Sequence, residues 1–185
     1  MIIRKLFKFE GSHIVRNCTS KRCSYSLHGH SYIVEVLIKN KHPNLIFDNG
    51  QMLLDFGLMK ATIGNLVDSF DHCHVIWKKD SIEYKNDMKK HSSRWIETPL
   101  SPSAESLSVM FHYLINYILG NTLFSNGESP LLVKSVIVHE TATGYAQSEE
   151  EDLGGIDLSI KDFTFSDSVR HDWGIELNTI LLPIS

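Results

Sequence analysis

A chain of 185 residues that is 42% hydrophobic and 22% charged has the make-up of an ordinary soluble domain, long enough to bury one core of its own. Its formal net charge of −4 argues against a nucleic-acid binder that relies on a broad basic surface, and no apolar run approaches the roughly 20 residues of a spanning helix, so neither nucleic acid nor membrane is an expected partner. The opening MIIRKLFKFEG alternates like a strand where a signal peptide would be continuously apolar, and Cys18, Cys23 and Cys73 are too few and too unevenly placed for a disulfide framework, which together point to a reducing, cytoplasmic setting.

In chain order, residues 2–10 read as a strand, with Ile3, Leu6, Phe7 and Phe9 among lysines, and residues 31–39 as a second strand rich in β-branched side chains; the two are expected to pair as a hairpin. A turn-like HPNLIFDNGQ follows. Asp55 then suits the N-cap of a helix whose apolar stripe is Phe56, Met59, Ile63, Leu66, Val67 and Phe70. A second helix is expected to open at Ser101-Pro102, a hydroxyl cap with proline in the first helical position, and to run through Leu107, Met110, Phe111, Leu114, Ile115 and Ile118 to Gly120. Strands are expected over residues 132–140 and, past a turn at Thr143-Gly144, over residues 144–147. SEEEDLGG reads as a charged loop and IDLSIKDFTFS as a further strand. The predicted order is β-β-α-α-β-β in one domain over residues 1–185, since no internal repeat or low-complexity stretch marks a second one.

His28-Gly29-His30 at the mouth of the second strand is the chemically suggestive motif. Residues two apart in a strand point to one face, so both imidazoles aim at one point. If the first two strands form a hairpin, His13 lies at the same end, and three neutral imidazoles suit zinc with the fourth tetrahedral position left for water or substrate. Spacing alone equally fits two exposed strand histidines with no ligand.

FEGSH around His13, Cys23 with LHGHSYIVEV, LLDFGLMK, FDH at residues 70–72, SPSAE at residues 101–105 and HETATGYA around Glu140 resemble, in order and approximate spacing, the 6-pyruvoyltetrahydropterin synthase family. Within it, LHGHS and LLDFG look most like the bacterial 6-carboxytetrahydropterin synthases of queuosine synthesis; the pyruvoyl-forming branch tends to carry GHGHN and lacks the aspartate-phenylalanine pair. The resemblance implies an α+β T-fold, an antiparallel sheet with two helices on one face, assembled into closed barrels, usually homohexamers, with active sites near subunit contacts. It implies a zinc ion on His13, His28 and His30, and a lyase reaction that turns the pterin triphosphate 7,8-dihydroneopterin triphosphate into 6-carboxytetrahydropterin, acetaldehyde and triphosphate.

The chemistry assigns roles to the matching residues. Cys23 matches the family's catalytic cysteine, a thiol beside a cationic metal being easier to ionise than a free one; Cys18, five residues earlier, competes for that role. Asp71-His72 matches an aspartate-histidine pair in which histidine moves protons and aspartate orients the ring, although histidine at a helix end also complements the helix dipole. Glu140 is expected to accept two parallel N–H donors of the pterin and to take part in the proton relay. Glu105 either helps position the pterin or favours the first turn of its helix. Arg16, Lys21 and Arg22 are candidate cations for the triphosphate or simply a solvated basic loop, while Cys73 and His74 read as structural because adjacent side chains diverge.

The chain departs from the family pattern in a long charged segment over about residues 75–100, read as a lid or a surface loop, and in a C-terminal extension over about residues 148–185. Two other readings use the same residues: Cys18, Cys23, His28 and His30 as a closed structural zinc site of a non-enzymatic module, or a pyruvoyl-forming synthase with the same zinc and thiol.

Overall fold

The computed structural model describes residues 1–42, 52–122, 124 and 130–171. Its elements are β1 (Ile2–His13), α1 (Lys21–Ser24), β2 (His28–Asn40), α2 (Phe56–Met59), a π-helical turn (Lys60–Gly64), α3 (Asn65–Ser69), β3 (Cys73–Trp77), α4 (Ile82–His91), β4 (Trp95–Thr98), α5 (Ala104–Asn121), β5 (Leu131–His139), β6 (Tyr145–Glu149) and β7 (Thr164–Phe165), with 3-10 turns at Glu150–Leu153 and Ile160–Asp162. The strands form one seven-stranded sheet in the order β6-β5-β2-β1-β3-β4-β7. Among the described residues no helix is long and apolar enough to cross a membrane.

The centre of the sheet is the expected antiparallel hairpin, paired without interruption from Ile2 with Lys39 to His13 with His28. Both strands run further toward the histidines than the apolar pattern indicated, because Gly11 and Gly29 dilute strand character where the pairing continues. Phe9, Tyr32, Val34, Val36, Ile38, Val133, Val136 and Val138 share one face, covered by Met59, Ile63, Leu66, Val67 and Phe70 and by the Leu107, Met110, Phe111, Leu114, Ile115, Ile118 stripe of α5. At its centre Phe9 stacks on Tyr32 at 4.5 Å between ring centroids, and Phe70 meets Phe111 at 4.6 Å. Aromatic contacts of this kind add about 0.5–1.5 kcal/mol to the burial of the rings.

Several expectations need correction. The predicted order lacks β3 and β4, which lie in and just before the segment read as a lid or loop. They pair in parallel with β1 and with each other and widen the sheet. That segment also contains α4, which has no buried residue and lies on the sheet face opposite the core, through Tyr84 on His74 and through Lys85 and Lys89 on the buried Glu97. The C-terminal stretch read as a strand pairs over Thr164–Phe165 alone, against β4. Asp55 does cap its helix, accepting the Gly57 N–H at 2.6 Å, but Phe56 is half exposed. The π turn shifts the helical phase, so the stripe runs from Met59 onward. The cap of α5 is Ser103, not Ser101, and the helix ends at Asn121. Most of the HPNLIFDNGQ turn lies outside the described residues.

Candidate metal and pterin site

Strand parity carries the core face past the end of the core and turns it into a site. Phe9, Gly11 and His13 share a face of β1, and Tyr32, His30 and His28 continue the same face of β2 toward the turn. Val136 and Val138 lead on β5 to Glu140 in the same way. The first turn of α5 overhangs this end, and the Pro102 carbonyl just before it accepts the Nδ1–H of His13 at 2.6 Å. His28 likewise donates Nδ1–H to the Ser26 carbonyl at 2.9 Å. Those two carbonyls can only accept, which puts the proton of each neutral ring on Nδ1 and leaves each Nε2 with a bare lone pair.

The two bare Nε2 atoms face each other at 3.2 Å. A third, Nε2 of His30, is buried without a hydrogen-bond partner. One ligand atom from each of the three rings lies within 4.8 Å of the others. Without a cation this arrangement is repulsive and incompletely satisfied, whereas about 3.3 Å is the spacing of neighbouring nitrogens around a tetrahedral ion with bonds of about 2.0–2.1 Å. The donor set therefore fits a metal ion. Burial, more than the neighbouring rings, lowers the His13 pKa to about 4, which keeps that imidazole neutral and ligand-ready. The Glu140 carboxylate stands 3.6 Å from His13 Nε2 and 3.9 Å from His30 Nε2, a negative charge beside the place a cation would occupy.

The same carboxylate touches the Tyr32 hydroxyl, which also lies 3.2 Å from His13 Nδ1. Burial and then Glu140 push the phenol well above its ordinary range, so Tyr32 stays protonated as a donor at the centre of the site. Tyr32 and Pro102 were missed from sequence. Tyr32 fits the core alternation as an ordinary aromatic, and no sequence signal distinguishes a carbonyl that accepts from a ring about ninety residues away.

Cys23 sits on α1, whose return is tied to the end of β1 by the Val15 N–H donating to the Cys23 carbonyl at 2.9 Å. Cys18, Cys23, His28, His30, Glu105 and Glu140 line one cavity of about 500 Å³. The structure thus brings Cys23, Glu140 and Glu105 to the histidines. Neither cysteine joins the group of three potential ligands, so the closed Cys-Cys-His-His site is not formed. Arg16 is committed elsewhere. It donates to Asp80 at 2.6 Å and to the Ser24 carbonyl at 3.3 Å, and its guanidinium lies 4.6 Å from the centre of the Tyr84 ring. Lys21 and Arg22 remain exposed on the same turn as Cys23.

Asp71 and His72 lie on the other side of His30, where His72 lines a second cavity of about 350 Å³ with Glu10, Ser12, His30 and Ser31. His72 has φ 55°, the one non-glycine among the described residues in the left-handed region. Such a backbone costs on the order of 1–3 kcal/mol and is kept only where its surroundings hold it. Its ring is 76% exposed and approaches Asp71 Oδ2 at 3.5 Å, longer than a normal hydrogen bond; Asp71 Oδ1 instead accepts the Glu10 N–H at 2.7 Å. Cys73 is buried and donates its thiol to the Ser69 carbonyl, and His74 points to the opposite face, bonded to Ser12 at 3.0 Å and Tyr84 at 2.7 Å.

The resemblance in the motifs extends over the chain. The sequence profile described as 6-pyruvoyl tetrahydropterin synthase matches residues 2–151. The 6-carboxy-5,6,7,8-tetrahydropterin synthase of Helicobacter pylori (strain J99) is 46% identical over 153 residues, covering 83% of this chain and 74% of that one. Its namesake from Aquifex aeolicus is 29% identical over 169 residues, covering 80% and 98%. Among solved structures, the fold resembles an uncharacterized protein of Wolinella succinogenes (TM-score 0.59, 17% identity, 81% and 98% covered). It also resembles the 6-pyruvoyl tetrahydropterin synthase of Plasmodium falciparum (TM-score 0.56, 16% identity, 81% and 97% covered). With a profile spanning most of the sheet and both walls of the site, and a matching fold, the chain belongs to the 6-pyruvoyl tetrahydropterin synthase family.

Proposed function

We propose that the protein is a zinc-dependent 6-carboxytetrahydropterin synthase of queuosine synthesis, a lyase that converts 7,8-dihydroneopterin triphosphate and one water to 6-carboxytetrahydropterin, acetaldehyde and triphosphate. The observation that carries this reading is the convergence of the unprotonated Nε2 atoms of His13 and His28, 3.2 Å apart, beside the partnerless Nε2 of His30. The 46% identity to a protein of that name supports the branch.

Imidazole nitrogens of His13, His28 and His30 would hold the zinc. Bound there, the ion would lower the pKa of hydroxyl groups on the substrate side chain and make proton removal accessible near neutral pH. Glu140 accepts the paired N–H donors of the pterin, with the Tyr32 hydroxyl bonded to its carboxylate. Cys23, on the wall of the same cavity, takes a proton from the substrate side chain. Lys21 and Arg22, exposed beside it, meet the triphosphate. His72, paired with Asp71, completes the relay. In a single chain the Cys23 and His72 cavities lie on opposite sides of His30, an arrangement that a homohexamer would complete if the His72 corner of one copy serves the Cys23 cavity of another.

The test is incubation of the zinc-loaded protein with 7,8-dihydroneopterin triphosphate and analysis of all products. Acetaldehyde equal to the pterin product is expected. Triphosphate release without acetaldehyde would assign the protein to the pyruvoyl-forming branch.

A further inference from the structure

The Asp71–His72 corner is held from two sides, by β1 and by the link between α4 and β4. From β1, Glu10 clamps it with both backbone groups: its N–H donates to Asp71 Oδ1 and its carbonyl accepts the His72 N–H, each at 2.7 Å. From the link between α4 and β4, Arg94 donates Nε–H to the Asp71 carbonyl at 2.9 Å and reaches the Asp68 and Ser69 carbonyls at 3.4 Å. The Arg94 carbonyl in turn accepts the His74 N–H at 3.0 Å. One guanidinium thus gathers carbonyl groups where α3 ends, in the turn immediately before the left-handed residue, and a cation is the favoured partner at that end of a helix. Left-handed backbone at a histidine relaxes when its neighbours let go. Release of the Asp71 carbonyl lets His72 return to ordinary φ and turns its ring away from the direction it now holds.

We propose that Arg94 is a positioning residue for His72, fixing the backbone from which the exposed imidazole works; this rests on the reading of His72 as a member of the proton relay. A lysine cannot substitute fully, because it lacks the planar fork that spans adjacent carbonyls.

The experiment is steady-state kinetics of the zinc-loaded protein with 7,8-dihydroneopterin triphosphate. In Arg94→Ala, kcat is expected to fall on the order of 10- to 100-fold, the cost of misplacing a reacting group, with KM and zinc content unchanged. Arg94→Lys should fall in between, and added guanidinium should restore part of the rate of Arg94→Ala. Combining Arg94→Ala with His72→Ala should give no loss beyond His72→Ala alone, because a residue acting through His72 has nothing left to act on. A parental rate in Arg94→Ala beside an inactive His72→Ala would overturn the proposal alone, as would equal losses from Arg94→Ala with and without His72. A fully active His72→Ala would overturn the role of His72 and the proposal with it. If the alanine variant does not fold, Arg94→Lys carries the same cycle with His72→Ala.

Discussion

His13 is 1% exposed, and burial holds its pKa at about 4, against 6.5 for the free side chain. Between those values the unfolded chain binds a proton that the folded chain refuses, so the stability of the metal-free protein is complete above about pH 6.5 and declines as pH falls toward 4. His74 and His112, lowered by burial, act in the same direction. Urea denaturation of metal-free protein should show a loss of at least about 2 kcal/mol between pH 7.5 and pH 4.5, with a smaller loss in His13→Gln. Equal stability at the two pH values would show that His13 is not held neutral by burial. At Cys23 the question is which thiol works. Cys23→Ala should keep its zinc and lose turnover by roughly 10²- to 10⁴-fold, while Cys18→Ala stays close to the parent in both metal content and rate. Loss of zinc from Cys23→Ala would make it a ligand; an inactive, zinc-loaded Cys18→Ala would move the role to Cys18. Glu140→Ala should weaken substrate binding by about 2–3 kcal/mol with zinc retained. Unchanged binding and rate would mean another group reads the pterin.

Among elements, the hairpin explains why a glycine separates the two histidines of β2. A Cβ on Gly29 would lie 2.8 Å from the Gly11 carbonyl oxygen of β1, a backbone atom that cannot swing aside. Gly29→Ala should therefore part the strands between His28 and His30, costing about 1–3 kcal/mol of stability and a large share of metal affinity. Isothermal titration with zinc reads the second effect, and parental affinity would show that the strands yield without disturbing the ligands. The hairpin and its histidines were legible because period-two alternation and pairing follow directly from residue order. β3 and β4 were not. Cys73, His74, Val75 and Ile76 are all buried, since α4 covers the second face of the sheet there, and a strand buried on both faces loses its alternation. The start of α5 was ambiguous for another reason: Ser101 and Ser103 both flank Pro102, and Ser103 is the one whose hydroxyl accepts the Ser106 N–H. The contacts of Tyr32 with Glu140 and of Arg94 with Asp71 were illegible because each joins residues well separated in sequence.

At the scale of the whole molecule, the described chain has a cavity on each side of His30, with Cys23 in one and His72 in the other. If the relay is completed between chains, Cys23→Ala and His72→Ala, each strongly impaired alone, should regain activity when unfolded and refolded together, because some mixed assemblies pair an intact Cys23 with an intact His72. Absence of any recovery from well-mixed assemblies would put both residues to work within one chain. The central claim is that three imidazoles at the end of one hairpin hold the ion at which the pterin side chain is cut. Its most direct test is to strip the protein of metal and restore zinc stepwise while measuring acetaldehyde released from 7,8-dihydroneopterin triphosphate. The rate should rise from the background to a plateau at about one zinc per chain, with no rise in His28→Ala or His30→Ala. Full acetaldehyde release from the stripped protein, or the parental titration in either variant, would contradict it.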